Sequence, residues 1–422
     1  MKIVIEALSM VPFLWYTFKV VMTSSASSTE NELLTRGVAE IIDRRRLEQK
    51  LRRHRPLRVK HGIDPTSHQL HLGHALPLRQ LRDWQRAGHR AVIIIGDFTA
   101  RVGDPSGRDR QRPALNVDTI HRFAASYLKQ VGRIVDVRRA EIHYNSEWFD
   151  HLASQDFLRL LSQFSVQQVL AHDTFRQRVT SQTPLSLLET VYPLLQGYDS
   201  VMVKADVEIG GLDQKFNLLA GRDIQTAYGQ EPQDIILTPY LIGTDGKHKM
   251  SKSIGNTIAI EDSPAEMFGK VMSLPDKLIV HYFELATAAS TDEVAAAKRS
   301  LRRHDLSRRD LKSRLASAIV SLYYGRSAAA QAAEEFTEVF RHKKIPRQMP
   351  TVTVRPGRHP LINLLVSHQL ASSRSEARRL IEQGGVKINQ HPITDWEATV
   401  VAEEGAVLQV GKRRFVKISL TE

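Results

Sequence analysis

The sequence predicts an α/β fold: a doubly wound parallel sheet, followed by a helical region and a small α+β module at the C-terminus. Three observations carry this. Leu57-Arg58-Val59-Lys60-His61-Gly62-Ile63 has strand composition, and Ala91-Val92-Ile93-Ile94-Ile95 before Gly96 is a short apolar run of the fully buried parallel type. A helical stretch from about Leu72 to Arg86, ending near Gly88, separates them, which makes a βαβ unit. From about Pro264 the pattern turns helical. Beyond Pro346, Pro350, Pro356 and Pro360, two short helical segments (Leu361–His368 and Ser373–Glu382) precede Gly384-Gly385 and alternating short strands. In a doubly wound sheet, ligands bind outside the carboxyl ends of the strands, and the unusual residues of this chain cluster there.

A length of 422 residues predicts two or three domains of roughly 150 residues each. The expected boundaries are a leader at 1–29, a catalytic domain at 30–262, a helical domain at 263–345, a linker at 346–357 and a terminal module at 358–422. The apolar stretch Ile3–Met22 suggests a signal peptide or anchor, but Glu6 and Lys19 interrupt it and no small-residue cleavage site closes it. The leader is therefore expected to be a start-site over-extension or a disordered arm, and no membrane association is expected.

With 59 Lys and Arg against 46 Asp and Glu the formal net charge is +13, which suits a polyanionic partner. Residues 298–314 alone carry eight Lys and Arg against two Asp. The absence of cysteine excludes disulfide scaffolds, thiolate metal sites and cysteine nucleophiles, and agrees with a cytoplasmic location.

Two motifs carry the chemistry. His71-Leu72-Gly73-His74 follows a strand and a loop and opens a helix. Helix N-termini present unpaired N–H groups and a partial positive charge suited to phosphate, glycine lets a nucleotide approach the backbone, and imidazoles three residues apart share a helix face. No third ligand lies nearby to make this pair a metal site. Lys249-Met250-Ser251-Lys252-Ser253 lies in the polar context Gly243–His248, where two lysines on a loop can close over a polyphosphate. Together they predict two cationic clamps, one at a helix mouth and one on a loop, gripping one triphosphate. An oxidoreductase reading fails because no GxGxxG follows the first strand.

HLGH after a first strand, with KMSKS roughly 180 residues later, resembles class I aminoacyl-tRNA synthetases. Gly62-Ile63-Asp64-Pro65-Thr66, Gly103-Asp104-Pro105-Ser106-Gly107, Tyr192-Pro193-Leu194-Leu195-Gln196-Gly197-Tyr198-Asp199 and Ile209-Gly210-Gly211-Leu212-Asp213-Gln214 narrow the likeness to the bacterial tyrosyl branch, over about residues 30–422. The resemblance implies a Rossmann-like domain that activates L-tyrosine with ATP, Mg2+ accompanying the nucleotide as a substrate complex, and that charges tRNA(Tyr). It also implies a homodimer in the cytoplasm. His71, His74, Lys249, Lys252, Arg108 and Arg112 would serve the transferring phosphates. Gly62, Asp64, Thr66, Gly73, Gly211, Asp213, Met250 and Ser251 would surround ATP, with Asp213 on the ribose. Asp199 would accept from the substrate phenol, Asp104, Tyr192 and Gln196 would hold its ammonium, and Gln214 would line the pocket. Tyr192, Gln196 and Asp199 share the i, i+4, i+7 face of one helix, which argues for a phenol over the indole of the related tryptophanyl enzymes.

Three positions depart from the best-known branch. Lys60 stands where that branch has a tyrosine on the phenol, and is expected to pair with Asp97 behind the pocket. Ile95-Gly96-Asp97-Phe98-Thr99 replaces a more glycine-rich segment, and Arg108 replaces a lysine. The C-terminal module resembles the RNA-binding fold named after ribosomal protein S-four. Its stretch Ser372–Ile381 and Gly384–Asn389 would place Arg374, Arg378 and Lys387 on phosphates, with Ser373 capping a helix. Beside it, the basic region 298–314 is expected to face tRNA.

Overall fold

The structure, a computed structural model, describes residues 31–106, 115–303, 305–341, 349–411 and 414–421. The leader 1–29 and both Arg108 and Arg112 lie outside these.

Six strands form the first sheet: β1 (Glu40–Ile42), β2 (Arg58–Ile63), β3 (Arg90–Ile95), β4 (Glu141–Tyr144), β5 (Val207–Gly211) and β6 (Asp234–Thr238), in the order β1-β6-β5-β2-β3-β4. Strands β6, β5, β2, β3 and β4 run parallel, and β1 pairs antiparallel with β6 at one edge. The apolar run on β3 is buried from Ala91 to Ile95, as a strand covered on both faces requires. From β2 the chain winds outward through β3 and β4, then returns to β5 and β6 on the other side. The switch point therefore lies between β2 and β5, whose carboxyl ends carry Gly62–Asp64 and Gly211–Asp213.

The helix Leu72–Arg86 joins β2 to β3 and buries Leu72, Ala75, Leu76, Leu78, Leu81 and Trp84 on the sheet. The helix Leu187–Met202 begins with a reciprocal cap, in which Ser186 accepts from Leu188 N–H and Glu189 accepts from Ser186 N–H. Its inward face joins a core with Val92, Ile94, Trp148 and Phe149.

By packing, the chain falls into two units that differ from the expected boundaries. The first ends at Asp262 and adds Leu274–Leu311, and the second comprises Ser263–Ser273 and the chain from Lys312 onward. The helical span Arg308–Arg341 breaks at Gly325, whose φ of 85° suits only glycine without strain. In the second unit β7 (Thr351–Val354), β8 (Gly357–Pro360), β9 (Val386–Ile388), β10 (His391–Ile393), β11 (Thr399–Ala402), β12 (Val407–Val410) and β13 (Arg414–Leu420) form a five-stranded sheet, β10-β9-β12-β13-β7, and a β11-β8 pair. β7 pairs parallel with β13, so the expected linker contains a strand of the terminal module. Proline spacing hid this, because a four-residue strand between prolines reads as loop. The helices Leu361–Ser367 and Arg374–Glu382 pack on this sheet through Leu361, Leu365, Ala377 and Ile381.

Candidate active site

The HLGH and KMSKS segments meet at the switch point. Leu72 N–H donates to the Ile258 carbonyl at 3.0 Å, and His71 bridges antiparallel to Ala259, so the chain just past KMSKS is tied to the helix mouth. Met250 is buried, and a Cβ built on Gly73 would stand 3.7 Å from the Met250 Cβ and 3.0 Å from the His71 ring. Gly73 thus lets the His71 ring fold back over the first turn. The His71 and His74 rings stack with centroids 3.8 Å apart.

Both imidazoles are neutral at pH 7. Burial, helped by the Lys252 and Lys249 charges, pulls His71 down to about 3. Burial, then the His71, Lys252 and Lys249 charges, holds His74 well below its ordinary value. The clamp at the helix mouth is therefore a set of neutral donors and a helix end, not the cationic pair that sequence suggested. Only the loop half is charged. His74 Nδ1 accepts from the His71 backbone N–H at 3.2 Å, which puts the proton of neutral His74 on Nε2. Among the described residues nothing hydrogen-bonds the buried His71 Nδ1, an arrangement that a ligand oxygen would relieve.

On the loop, Lys249 Nζ lies 2.6 Å from Asp213 Oδ2, and Lys252 Nζ donates to Ser67 Oγ. Ser251 N–H donates to Asn256 Oδ1 at 2.8 Å, and the Ser251 hydroxyl lies 2.9 Å from that of Ser253. Thr66 N–H closes a turn onto the Asp64 carbonyl at 2.8 Å. A Cβ at Gly62 would meet nothing within 4 Å, so the end of β2 is open, whereas one at Gly211 would stand 2.6 Å from Asp213 Oδ1.

The predicted phenol face of the helix Leu187–Met202 divides into three linked contacts. Asp199, 3% exposed, accepts from Trp148 Nε1 at 3.0 Å and Asn145 Nδ2 at 3.4 Å. Tyr192 donates to Asp64 Oδ2 at 2.9 Å, and the Thr99 hydroxyl donates to Asp64 Oδ1 at 2.8 Å. Gln196 Oε1 accepts from Asn217 Nδ2, which also donates to Gln214 Oε1, and Gln214 Nε2 donates to Asp104 Oδ2 at 2.9 Å. Asp104, Gln196 and Gln214 are thus joined through Asn217, a residue that sequence reading missed. Asn145, Trp148 and Thr99 were missed too. Their signal was position, since Thr99 and Asn145 lie just past the carboxyl ends of β3 and β4. Gly96 is the one glycine of its segment that Asp64 requires, because a Cβ there would fall 2.0 Å from Asp64 Oδ1.

Lys60 does not pair with Asp97. Its Nζ, fully buried, lies 3.0 Å from Glu208 Oε1, 2.7 Å from Ser200 Oγ and 3.0 Å from the Gln196 carbonyl. Register is the reason, because Lys60 and Glu208 are Cα partners on the parallel strands β2 and β5. Asp97 instead accepts from Ser146 Oγ at 2.6 Å and from the Ser146 and Phe98 N–H groups at 3.0 Å.

Burial pushes the Asp199 carboxyl up to about 7, opposed by the Lys60 charge and the Trp148 and Asn145 hydrogen bonds, and aided by the Glu208 charge. Among the described residues no group of three or more His, Asp or Glu can hold a metal ion, and no helix is long and apolar enough to cross a membrane.

Comparison with known proteins shows the family. The family of class I tRNA synthetases (W and Y) matches residues 52–341, and the tyrosine–tRNA ligase SYY-like C-terminal domain matches 342–418. The tyrosine–tRNA ligase of Moorella thermoacetica is 46% identical over 92% of this chain and 94% of its own. The chain belongs to the tyrosine–tRNA ligase family. The Thermotoga maritima member is 45% identical over 92% of this chain and 96% of its own. Among solved structures, the Archaeoglobus fulgidus tyrosyl-tRNA synthetase complexed with L-tyrosine has the same fold, with a TM-score of 0.60 at 21% identity over 73% of this chain and 99% of that one. A truncated Aspergillus nidulans mitochondrial tyrosyl-tRNA synthetase scores 0.63 at 21% identity, over 76% and 100%.

The terminal module places Arg374 and Arg378 on one exposed face of the helix Arg374–Glu382, which Ser373 caps by accepting from Glu376 N–H. Arg378 stacks 4.2 Å over the Trp396 ring and pairs with Glu382 at 2.8 Å. Lys387 sits mid-strand on β9, opposite Pro392 and Gln409.

Proposed function

We propose that the site divides this family's reaction between a phenol-holding end around Asp199 and a phosphate-holding end where HLGH and KMSKS meet. The chain charges tRNA(Tyr) with tyrosine. The tyrosine carboxylate attacks the α-phosphorus of ATP, pyrophosphate leaves, and the tyrosyl-adenylate passes its acyl group to the tRNA 3′ end. No protein nucleophile is needed, so catalysis rests on positioning and on donors aimed at developing charge.

The observation that supports this assignment is the convergence of His71, His74, Lys249, Lys252 and Asp213 at one switch point. His74 Nε2–H and His71 donate to the transferring phosphoryl group. Lys249 and Lys252 neutralise the departing pyrophosphate, which arrives with Mg2+ bound to ATP. Asp213 takes the ribose, and Gly62 and Gly211 leave room for the nucleotide beside Asp64, Thr66, Met250 and Ser251. Arg108 and Arg112, which lie outside the described residues, are assigned to the same phosphates.

At the other end Asp199 accepts the phenol O–H, while Asp104, Tyr192 and Gln196 receive the ammonium, with Gln214 fixing Asp104. Phenylalanine brings no O–H, so a buried Asp199 would keep only its Trp148 and Asn145 donors and lose the phenol hydrogen bond to a charged group, about 1.5–3 kcal/mol. ATP–pyrophosphate exchange with tyrosine, tryptophan and phenylalanine tests the reading. Exchange driven by tyrosine alone is expected, and exchange driven by tryptophan instead would overturn it.

The phenol must donate to an ionised carboxylate, so affinity follows the Asp199 titration near 7. Below that pH the protonated form dominates, and tyrosine binding should weaken about tenfold from pH 8 to pH 6. Equilibrium dialysis across that range should show this slope, and Asp199→Asn should abolish it.

Arg374, Arg378, Lys387 and the basic stretch 298–314 meet tRNA phosphates, giving salt-dependent binding. The assembly is a cytoplasmic homodimer. Exposed Val166, Val179, Leu187 and Leu188 on neighbouring helical segments offer the apolar surface that a second copy would bury.

A further inference from the structure

Lys249 has a seat that neither motif contains. Its Nζ lies 2.6 Å from Asp213 Oδ2 and 4.7 Å from the centroid of the Tyr240 ring. Tyr240 stands two residues past β6, on the chain that leads into the KMSKS loop. Ile242 bridges antiparallel to Lys249, and Met250 N–H donates to the Leu241 carbonyl at 2.8 Å. Backbone hydrogen bonds therefore hold the two chain segments side by side, which keeps the ring within reach of the ammonium. A cation over the face of an aromatic ring is attracted by the negative face of the π-system.

The two contacts differ in what happens when nucleotide arrives. Asp213 is the carboxylate assigned to the ribose hydroxyls, so bound nucleotide competes for the same oxygens. The ring has no such competitor. The Lys249 side chain is 48% exposed, and without a second contact it would regain the rotamer freedom of a four-carbon stem once Asp213 is engaged. Lys252, the other lysine of the motif, donates to the Ser67 hydroxyl and lies farther from a ring, 5.7 Å from the Tyr127 centroid.

We propose that Tyr240 is a positioning residue for adenylate formation, its ring face keeping the Lys249 ammonium on the pyrophosphate side while ribose occupies Asp213. This rests on the assignment of Lys249 to pyrophosphate made above. It is tested by pyrophosphate exchange in four full-length proteins: the wild type, Tyr240→Leu, Lys249→Ala and the double variant. Tyr240→Leu should lower kcat about 2- to 5-fold, the scale of a partly exposed cation–π contact, with KM for tyrosine unchanged. It should have no further effect in the Lys249→Ala background. Tyr240→Phe, which keeps the ring, should match the wild type. A pentafluorophenylalanine side chain at position 240 keeps the shape but not the negative face, and should lose as much as leucine does. That protein carries the test if the leucine variant folds poorly. Equal losses from Tyr240→Leu in both backgrounds would mark a merely structural role and overturn the proposal, as would no loss in the wild-type background. A Lys249→Ala protein exchanging at the wild-type rate would remove the Lys249 assignment, and the seat with it.

Discussion

His74→Ala lowers the rate of tyrosyl-adenylate formation at least ~10²-fold, the scale of one preorganised donor removed from a developing oxyanion. Tyrosine affinity changes little, because His74 lies at the phosphate end, away from Asp199. The protonation state of the ring sets this effect. Neutral His74, with Nδ1 occupied by the His71 backbone N–H, presents Nε2–H as a fixed donor that needs no proton from solvent. Lys249→Ala is expected to have an effect of the same order, through uncompensated charge on pyrophosphate. Single-turnover adenylate formation measures both, and rates within a few-fold of wild type in the two variants would remove these roles. His74→Asn should retain more activity than alanine, since an amide N–H can stand in for the ring donor.

Lys60→Met destabilises the catalytic unit by about 3–5 kcal/mol, the cost of stranding one partner of a buried ion pair. The lysine is fully buried and Glu208 is 1% exposed. All three ammonium donors are used, and Glu208 Oε2 accepts from Ser200 Oγ at 3.1 Å and Gln233 Nε2 at 2.5 Å. Adding Glu208→Gln should recover most of the loss by removing the orphaned charge. The Lys60 charge also opposes the upward push on Asp199, so tyrosine binding in the variant should follow a titration moved to higher pH. Urea unfolding and pH-dependent binding check the two parts, and an unchanged unfolding midpoint would show that the pair is not holding this sheet together.

Much of the site could be read from residue order. HLGH had to open a helix, because a strand, a turn and an apolar 3.6-residue period surround it, and the helix begins at Leu72 as that pattern requires. The buried run at Ala91–Ile95 had to be an interior parallel strand. Tyr192, Gln196 and Asp199 had to share a helix face, since spacing alone sets that angle. These are local consequences of chain geometry, and they survive any packing.

The partners across the fold were decided elsewhere. Lys60 meets Glu208 because β2 and β5 lie side by side in a particular register, about 150 residues apart in the chain, and no local pattern encodes that neighbour. Asn217, Asn145 and Trp148 entered the site through strand order, and β7 joined the terminal sheet through its pairing with β13. Protonation followed the same rule. A histidine at a helix mouth reads as a cation until burial removes its water, and an aspartate reads as ionised until it is enclosed. Sequence specified which chemical groups are present and which local element carries each. The packed chain alone set their solvation and their neighbours, because desolvation and register depend on segments distant along the sequence.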